Sequence, residues 1–596
     1  MTLGRIKKFK YKTEVALIFF SIAMYFTTIM QNVVWETLLW MTATLLSTLY
    51  YIYKTSLKSF GKRRQKLIYT ISFIGLSAVF TIINNYILLL AFEASISAKI
   101  FMFILTPLTF QMYYKIILCT QYLFFKPPQP ETCTNIDALP GCSMILATRN
   151  EPFDVCKMTF DSANSLNYPA DKKEIIIVDN SDLSHKDLTK WKNYVEKHVK
   201  LNNGTIYRFI HRNSTIGFKP KNLDIGMTHV SKPYVMLLDA DSTLMPNTLK
   251  QVMPEFAADP KLGFASLLIK GTNNASSFFA KIGCISQNML RYTMGLIGQN
   301  GFVIFQGHNS VWSKETLRAI GPWLETHRGE PMIVEDVAAA VRCYFKGHYG
   351  RTIWLDSGEW VPTSMKECES MWMRWTYGNM QITHKYFWSI VKSNMITFKE
   401  KTDILNQMFS FSVVLTPVFA FLGILLPHTS PIWLAYIILL NAPAILSMIG
   451  YGMKNKSQGS SKIRWLLQLY LAFFVMNSFI TWVSAKAVVN YLLRRDQGWK
   501  PTGKTAESRV NWMSAIRAYK GMMGFGITGI TCAILMDIYL VPGALVATIV
   551  LFISALFFVN LILNIMFFGR SVMSATGNLE TLSIHQLSHL PESHLS

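Results

Sequence analysis

Acidic residues are scarce in this chain: 35 Asp and Glu stand against 58 Lys and Arg, a formal net charge of +23 over 596 residues. Charged residues of both signs make up only 16% of it, while 51% is hydrophobic and the mean hydropathy is +0.25. That balance argues against an ordinary soluble enzyme and for a membrane protein. The basic surplus clusters beside apolar runs rather than along one polar face, so anionic lipid headgroups, not nucleic acid, are the expected partner. Cysteine is also sparse. The eight cysteines form no CxxC pair and no close spacing with His, which removes a zinc site and a disulfide framework and leaves free thiols. Between 126 and 400 neither GxGxxG nor GxxxxGK[ST] occurs, so neither a dinucleotide-binding fold nor a P-loop is indicated for that stretch. No small-residue cleavage site follows "MTLGRIKKFKYK", so the first apolar run is expected to be a retained membrane helix.

What is present begins with long charge-poor runs at about 15–31, 36–53, 67–92 and 100–125, each of spanning length. The loop between the second and third carries Lys54, Lys58, Lys62, Arg63, Arg64 and Lys66 and no acid, which places it and the N-terminus in the cytoplasm. Four crossings then return the chain there, so 126–400 is expected to be a cytoplasmic insert. Lys115 lies inside the fourth run, either snorkelling or facing a polar cavity. Further apolar runs follow at 407–427, 430–451, 465–492, 519–541 and 543–568. The loops 452–464 and 494–509 are both basic, and the run between them carries Asn477, Ser478, Thr481, Ser484 and Lys486. That pattern predicts an interfacial or re-entrant element at 465–492, hence eight crossings and a flexible cytoplasmic tail at 569–596.

From 141 onward short apolar strands alternate with amphipathic stretches, the signature of an α/β domain. "CSMILATRNEP", "KEIIIVDNSD" and "YVMLLDADS" each run from a strand into polar residues, as strands do at the nucleotide crevice of an open parallel sheet. Asp239 and Asp241 can bring carboxylate oxygens to a hard divalent cation and a ribose, which would neutralise a diphosphate leaving group. A solvated turn explains the same triplet in isolation. Glu335 and Asp336 begin an amphipathic helix, where acids ordinarily serve the helix dipole. Arg374 and Trp375 lie on a helix dense in Trp and Met, by itself a core or interfacial helix. The sequons "NGT" and "NST" at 203–205 and 213–215 would be unused in a cytoplasmic domain.

Taken in order, "VDNSD", "GFKPKNLDIG", "DADS", "VED" and "RW" resemble the processive family-2 glycosyltransferases, the group of cellulose, chitin, hyaluronan and periplasmic glucan synthases, over roughly 140–510. "QGHNSVW" and "RWTYGNM" look most like the bacterial periplasmic glucan glucosyltransferases within that group. The resemblance implies an α-helical membrane protein with an inserted cytoplasmic α/β glycosyltransferase domain of the GT-A type. Its parts would be four N-terminal membrane helices in 1–125, the catalytic domain with interfacial helices in 126–400, and four C-terminal membrane helices in 401–568. By the same resemblance Thr148, Glu151 and Asp179 line the uridine pocket, Lys219 sits near the nucleotide, and Asp239 contacts it while Asp241 ligates Mg2+ or Mn2+. Asp336, with Glu335 beside it, is the general base that deprotonates the acceptor hydroxyl. Arg374 balances diphosphate charge, Trp375 stacks on the acceptor sugar, and His308 belongs with the substrate-binding residues. "WKPTGK" resembles the family's gating loop, with Trp499, Thr502 and Lys504 in the matching places. Three positions depart from the pattern: Met371 replaces the usual Gln before the Arg-Trp pair, Asn180 an acid, and Pro501 the Val of the gate. No Arg-rich cyclic-dinucleotide motif follows the last helix.

The resulting expectation is an inverting, processive synthase of a β-glucan-like exopolysaccharide. It would use a UDP-sugar, UDP-glucose first, and pass the chain through a multi-pass bacterial inner (cytoplasmic) membrane. Expected partners are the donor, the growing polysaccharide, the bilayer and an envelope accessory protein, with no nucleic acid. The competing readings are a single-transfer glycosyltransferase with a lipid acceptor, and a transporter or scaffold with an inert insert.

Overall fold

The computed structural model describes residues 63–91, 96–124, 138–410 apart from 202 and 215, 431–455, 461–495, 512–539 and 545–568, with 127, 128, 133 and 135 between. The expected runs 15–31 and 36–53, most of 407–427, the 494–509 loop from 496 onward with Trp499, Thr502 and Lys504, and the tail lie outside them. The chain divides into two compact units, Met1–Pro127 with Pro417–Lys456 and Ile534–Ser554, and Pro128–Thr416 with Ser457–Ala533 and Ala555–Ser596.

In the first unit the helices Arg63–Ala91, Ile96–Phe124 and Pro431–Lys454 coincide with three of the expected apolar runs. They pack through Phe80, Met112, Tyr113 and Ile116, joined by Ala442 and Leu446. Polar groups inside this apolar setting find partners between helices: Asn85 Nδ2 donates to Thr106 Oγ1 at 2.7 Å, and the Cys119 thiol meets Ser447 Oγ at 3.2 Å.

The second unit is built on a seven-stranded sheet of order β3-β2-β1-β4-β6-β5-β9. Its strands are β1 (Cys142–Thr148), β2 (Lys173–Asp179), β3 (Ile206–His211), β4 (Tyr234–Leu238), β5 (Leu262–Gly271), β6 (Ser310–Ser313) and β9 (Tyr349–Glu359), while β7 (Thr326–His327) and β8 (Glu330–Pro331) form a separate hairpin. The three strands read from the sequence, β1, β2 and β4, are parallel neighbours. The sheet as a whole is mixed rather than parallel, because the short β6 inserts antiparallel to both β4 and β5. Side chains alternate between two cores: Ile145, Val178 and Trp312 face one layer, and Met144, Leu146 and Ile177 the other. Burial on both faces is why these strands are continuous apolar runs. Each fully buried Ile or Leu contributes roughly 1.5–3 kcal/mol.

Strand order reverses between β1 and β4, and a crevice at the carboxyl ends of the strands follows from that reversal. Register sets Thr148 opposite Asp179, and β1–β4 pairing ends at Leu146 opposite Leu238, one residue before Asp239. Three strand ends thus deliver their polar residues to one edge.

Among the described residues two helices are long and apolar enough to cross a membrane, Met102–Tyr122 and Lys462–Leu492; shorter apolar helices are Phe73–Ile87, Lys520–Leu535 and Ala555–Phe568. The first of the long pair answers to the expected fourth run. The second is the segment read from sequence as interfacial; it is one continuous helix of spanning length with a π turn at Leu471–Val475. A π turn loosens the regular ladder, and Asn564 Nδ2 donates to Val475 O at 2.5 Å there. Along its second half this helix packs on Met365–Lys392, through Thr376 Oγ1 donating to Ser484 Oγ (3.1 Å) and a Lys486–Glu369 ion pair (2.7 Å).

Candidate active site

Helix Phe218–His229 enters tightly, with Gly217 at φ +80° and Phe218 at φ +44°. Only glycine adopts such backbone at little cost. The turn brings Lys219 over the end of β4, where its Nζ lies 2.6 Å from Asp239 Oδ1, 3.9 Å from Glu335 Oε1, and donates to Gly307 O at 3.1 Å. Burial disfavours the Lys219 ammonium, but Asp239 and Glu335 outweigh it and hold its pKa above the ordinary lysine value.

Glu335 and Asp336 open helix Glu335–Phe345, and Asp336 Oδ1 accepts from Val337 N at 2.7 Å. Burial raises both carboxyls above the usual carboxylate range, and Lys219 acts in the opposite direction on each. On helix Met365–Lys392, burial depresses the Arg374 guanidinium while Glu335, Asp239 and Asp336 pull it back up. Trp375 is about a third exposed, with its ring edge-on to Trp372 at 5.1 Å between centroids. Four motifs far apart in sequence, those of Lys219, Asp239, Glu335–Asp336 and Arg374, therefore meet electrostatically at one strand end.

The "DADS" turn is pinned from several sides. Ser242 Oγ accepts from Asp239 N (3.0 Å), Thr159 Oγ1 donates to Ala240 O (2.6 Å), and Trp360 N donates to Asp241 Oδ2 (3.1 Å). His308 is buried beside it, Nδ1 3.8 Å from Asp239 Oδ2 and Nε2 3.1 Å from Glu359 Oε2. Burial disfavours the imidazolium, yet Asp239 and Glu359 outweigh burial and raise the His308 pKa to about 9.

At the other side of the crevice Asp179 is bonded from four directions. Thr148 Oγ1 and Ser181 Oγ donate to Oδ2 at 2.7 and 2.8 Å, while Ser181 N and the His211 ring meet Oδ1 at 3.0 and 3.1 Å. Asp179 and Thr148 thus clasp the ends of β1, β2 and β3, and Glu151 lies half-buried on the loop beyond β1. Asn222, one turn after Lys219, donates to Asn180 Oδ1 at 2.9 Å, so one helix face touches both sides of the crevice.

The sequence reading missed Glu359, Gln287, Gly378 and Gln381. Gln381 Oε1 accepts from Ile333 N at 3.0 Å, and a methyl built on Gly378 would overlap the Val334 side chain, so the Arg-Trp helix grips the residues just before Glu335. The only signal for these was a polar or small residue within an otherwise apolar or aromatic stretch.

The donor set suits a hard cation. Asp239 and Asp241 are carboxylates with only Ala240 between them, and the acids here (Asp239, Asp241, Glu335, Asp336, Glu359) outnumber the cations (Lys219, His308, Arg374) by five to three. Among the described residues no group of three or more His, Cys, Asp or Glu is arranged to hold a metal. Mg2+ and Mn2+ sites of this kind take one or two carboxylates and complete their shell with substrate phosphate oxygens.

Comparison with known proteins gives a family model, Glycosyl transferase family 2, matching residues 143–321, and a second, Glycosyl transferase family group 2, matching 234–493. A probable glycosyltransferase of Sulfolobus acidocaldarius is 23% identical over 407 residues, 65% of this chain and 82% of the relative. A probable glucomannan 4-beta-mannosyltransferase of Arabidopsis thaliana is 23% identical over 46% of this chain and 52% of its own length. A poly-beta-1,6-N-acetyl-D-glucosamine synthase of Staphylococcus aureus is 25% identical over 44% of this chain and 59% of its own length. The chain therefore spans between half and three fifths of the latter two. Among solved structures, a mannosyltransferase of Pyrobaculum calidifontis in complex with GDP-Man and Mn2+ aligns at TM-score 0.42 and 15% identity, over 65% of this chain and 98% of that one.

Proposed function

The chain is a family 2 glycosyltransferase with a GT-A type α/β unit, and on that premise we propose that it is an inverting, processive membrane synthase of a β-linked polysaccharide, with UDP-glucose as donor. The observation that carries the chemistry is the convergence of Lys219, Asp239, Glu335 and Asp336 at the end of β4, with Arg374 and His308 facing them.

Thr148, Glu151 and Asp179 border the nucleotide, and Asp239 contacts it. Asp241 and Asp239 would hold Mg2+ or Mn2+, which when bound supplies charge neutralisation for the diphosphate. Lys219 and Arg374 add fixed positive charge where the diphosphate develops its negative charge. Asp336 takes the proton of the acceptor hydroxyl as its oxygen bonds to the anomeric carbon. The bond from that carbon to the diphosphate oxygen breaks with its electron pair on UDP, so an α-linked donor gives a β-linked product. A carboxylate raised by burial is a stronger base than an exposed one and suits this transfer. Trp375 offers a ring face to the acceptor sugar.

Processivity and passage through the membrane are supported by the apolar helices that flank the catalytic unit in sequence on both sides. The names of two relatives, a probable glucomannan 4-beta-mannosyltransferase and a poly-beta-1,6-N-acetyl-D-glucosamine synthase, favour a polymer over the single-transfer reading. Purified protein in detergent with Mn2+ and labelled UDP-glucose should release UDP and form a long product. Asp336→Asn should lower the rate by about 10³-fold or more without unfolding the protein. A single sugar on lipid would support the single-transfer reading, and full activity in Asp336→Asn would remove Asp336 as the base.

A further inference from the structure

Glu359 is the last residue of β9, and none of the roles above uses it. Its backbone is anchored: its carbonyl accepts from Thr272 N and Thr272 Oγ1, each at 2.9 Å. Its side chain points two ways at once. Oε2 lies 3.1 Å from His308 Nε2, and Oε1 accepts from Gln287 Nε2 at 2.6 Å. Gln287 comes from helix Phe278–Asn300, which covers β5 and β9.

His308 itself sits on a backbone that leaves it little choice. Gly307 and Asn309 on either side have φ of +86° and +49°. Asn309 N donates to Leu237 O at 2.8 Å, Asn309 Nδ2 to Gly358 O at 3.1 Å, and Leu267 N to Asn309 O at 3.1 Å. The Cα of residue 308 is thereby fixed between β4, β5 and β9. The imidazole torsion is broad and two-fold by nature, so ring orientation has to be set by what the nitrogens meet. On one side stand Gln306 O, 3.1 Å from Nδ1, and Asp239; on the other side stands Glu359. Donor-site carboxylate, imidazole, second carboxylate and carboxamide form one line from β4 to the helix.

We propose that Glu359 is a positioning residue of the transferase: acting through His308, it fixes the ring against Asp239 in the donor site, and Gln287 holds Glu359 in place for that task. This rests on the reading that His308 faces the substrate. The fixed orientation keeps one ring N–H directed at the donor side rather than letting it rotate away, and a geometric loss of this kind falls on the transfer step.

The test is a double-mutant cycle on UDP release from UDP-glucose with Mn2+, reading kcat and KM separately. His308→Gln is expected to lower kcat/KM by about 100-fold and Glu359→Gln by about 10- to 100-fold, in the same parameter. Because Glu359 acts through His308, the double variant should match His308→Gln to within about twofold. Glu359→Asp should recover part of the loss, and Gln287→Leu should shift the same parameter by about 3- to 10-fold. If Glu359→Gln does not fold, Gln287→Leu, which leaves the strand untouched, carries the test in the same cycle. Effects of Glu359→Gln and His308→Gln that multiply would overturn the proposal, as would wild-type kinetics in either variant. Absence of UDP release by the wild-type protein with every UDP-sugar would instead overturn the functional reading.

Discussion

At the scale of single residues, Lys219 connects the groups that matter most. Its ammonium pairs with Asp239 and lies near Glu335, and it lowers the proton affinity of both Glu335 and Asp336 against the burial that raises them. A base must be unprotonated to act. Raised carboxyl pKa values therefore place the acid limb of the rate profile above the ordinary carboxylate range, with activity falling as pH drops through it. Removing the ammonium with Lys219→Met should move that limb further up in pH. The measurement is kcat at saturating donor between about pH 5 and 9, where the free base fraction changes. A limb that stays in place, or moves down, would separate Lys219 from the base. Asp336 and Lys219 were singled out in the sequence by the resemblance of their short motifs, "VED" and "GFKPKNLDIG", to those of family-2 glycosyltransferases. Glu359 was not, because its partners His308 and Gln287 lie 51 and 72 residues away.

Among elements, two contacts decide how the site is held. The Arg-Trp helix meets the loop before Glu335 at Gly378, where a methyl would collide with Val334. Gly378→Ala should push Glu335 and Asp336 out of line and lower kcat by about 10- to 100-fold with the fold retained. Val334→Ala added to it should restore much of the rate, since the second change opens the space the first one fills. UDP-release kinetics of both variants, beside a thermal melt, read this directly.

The second contact is Glu174 on β2, whose side chain is fully buried. It accepts from Ser143 Oγ, from Ser231 N and Oγ at 2.9 and 3.0 Å, and from Arg208 Nε at 3.3 Å, which ties β1, β2, β3 and the loop before β4. Burial pushes its pKa up, but these hydrogen bonds win and hold it below the ordinary glutamate value. Its contribution to stability is thus present above the unfolded glutamate pKa and is lost as pH falls through the lower folded value. Glu174→Gln should destabilise the unit by about 1.5–3 kcal/mol near neutral pH, the usual worth of hydrogen bonds to a charged group. The difference from wild type should shrink below about pH 4.5, where the unfolded glutamate protonates. Melting curves at neutral and acidic pH measure it, and a pH-independent difference would remove the ionic form from the account.

For the molecule as a whole, the prediction concerns where the product goes. A catalytic unit flanked in sequence by apolar helices on both sides suits a synthase that exports its own chain. In vesicles with the UDP-glucose-binding face outward, labelled polymer should accumulate inside, protected from added glucanase until detergent is supplied. Complete digestion without detergent would place the product on the donor's side and leave synthesis uncoupled from export. The helices Arg63–Ala91, Ile96–Phe124 and Pro431–Lys454 were legible from composition, since a run of about twenty apolar residues announces a helix, and one of them contains a stretch of spanning length, Met102–Tyr122. The interfacial reading of 465–492 rested on the charge of its flanking loops, whereas the structure presents one unbroken helix of spanning length that also packs along Met365–Lys392.

By itself the sequence determined the strands β1, β2 and β4, the acids at their ends, the helix that starts at Glu335 and the helix that carries Arg374. These follow from local rules: side-chain periodicity, strand length and the capping preference of acids. Only the tertiary structure decided that β6 would insert antiparallel and bring His308 beside Asp239, that β9 would end on Glu359 and Trp360, and that Gly378 would abut Val334. Those pairings join residues tens of positions apart, and nothing in the local pattern of either partner encodes the other. They are set by how layers pack against a common sheet.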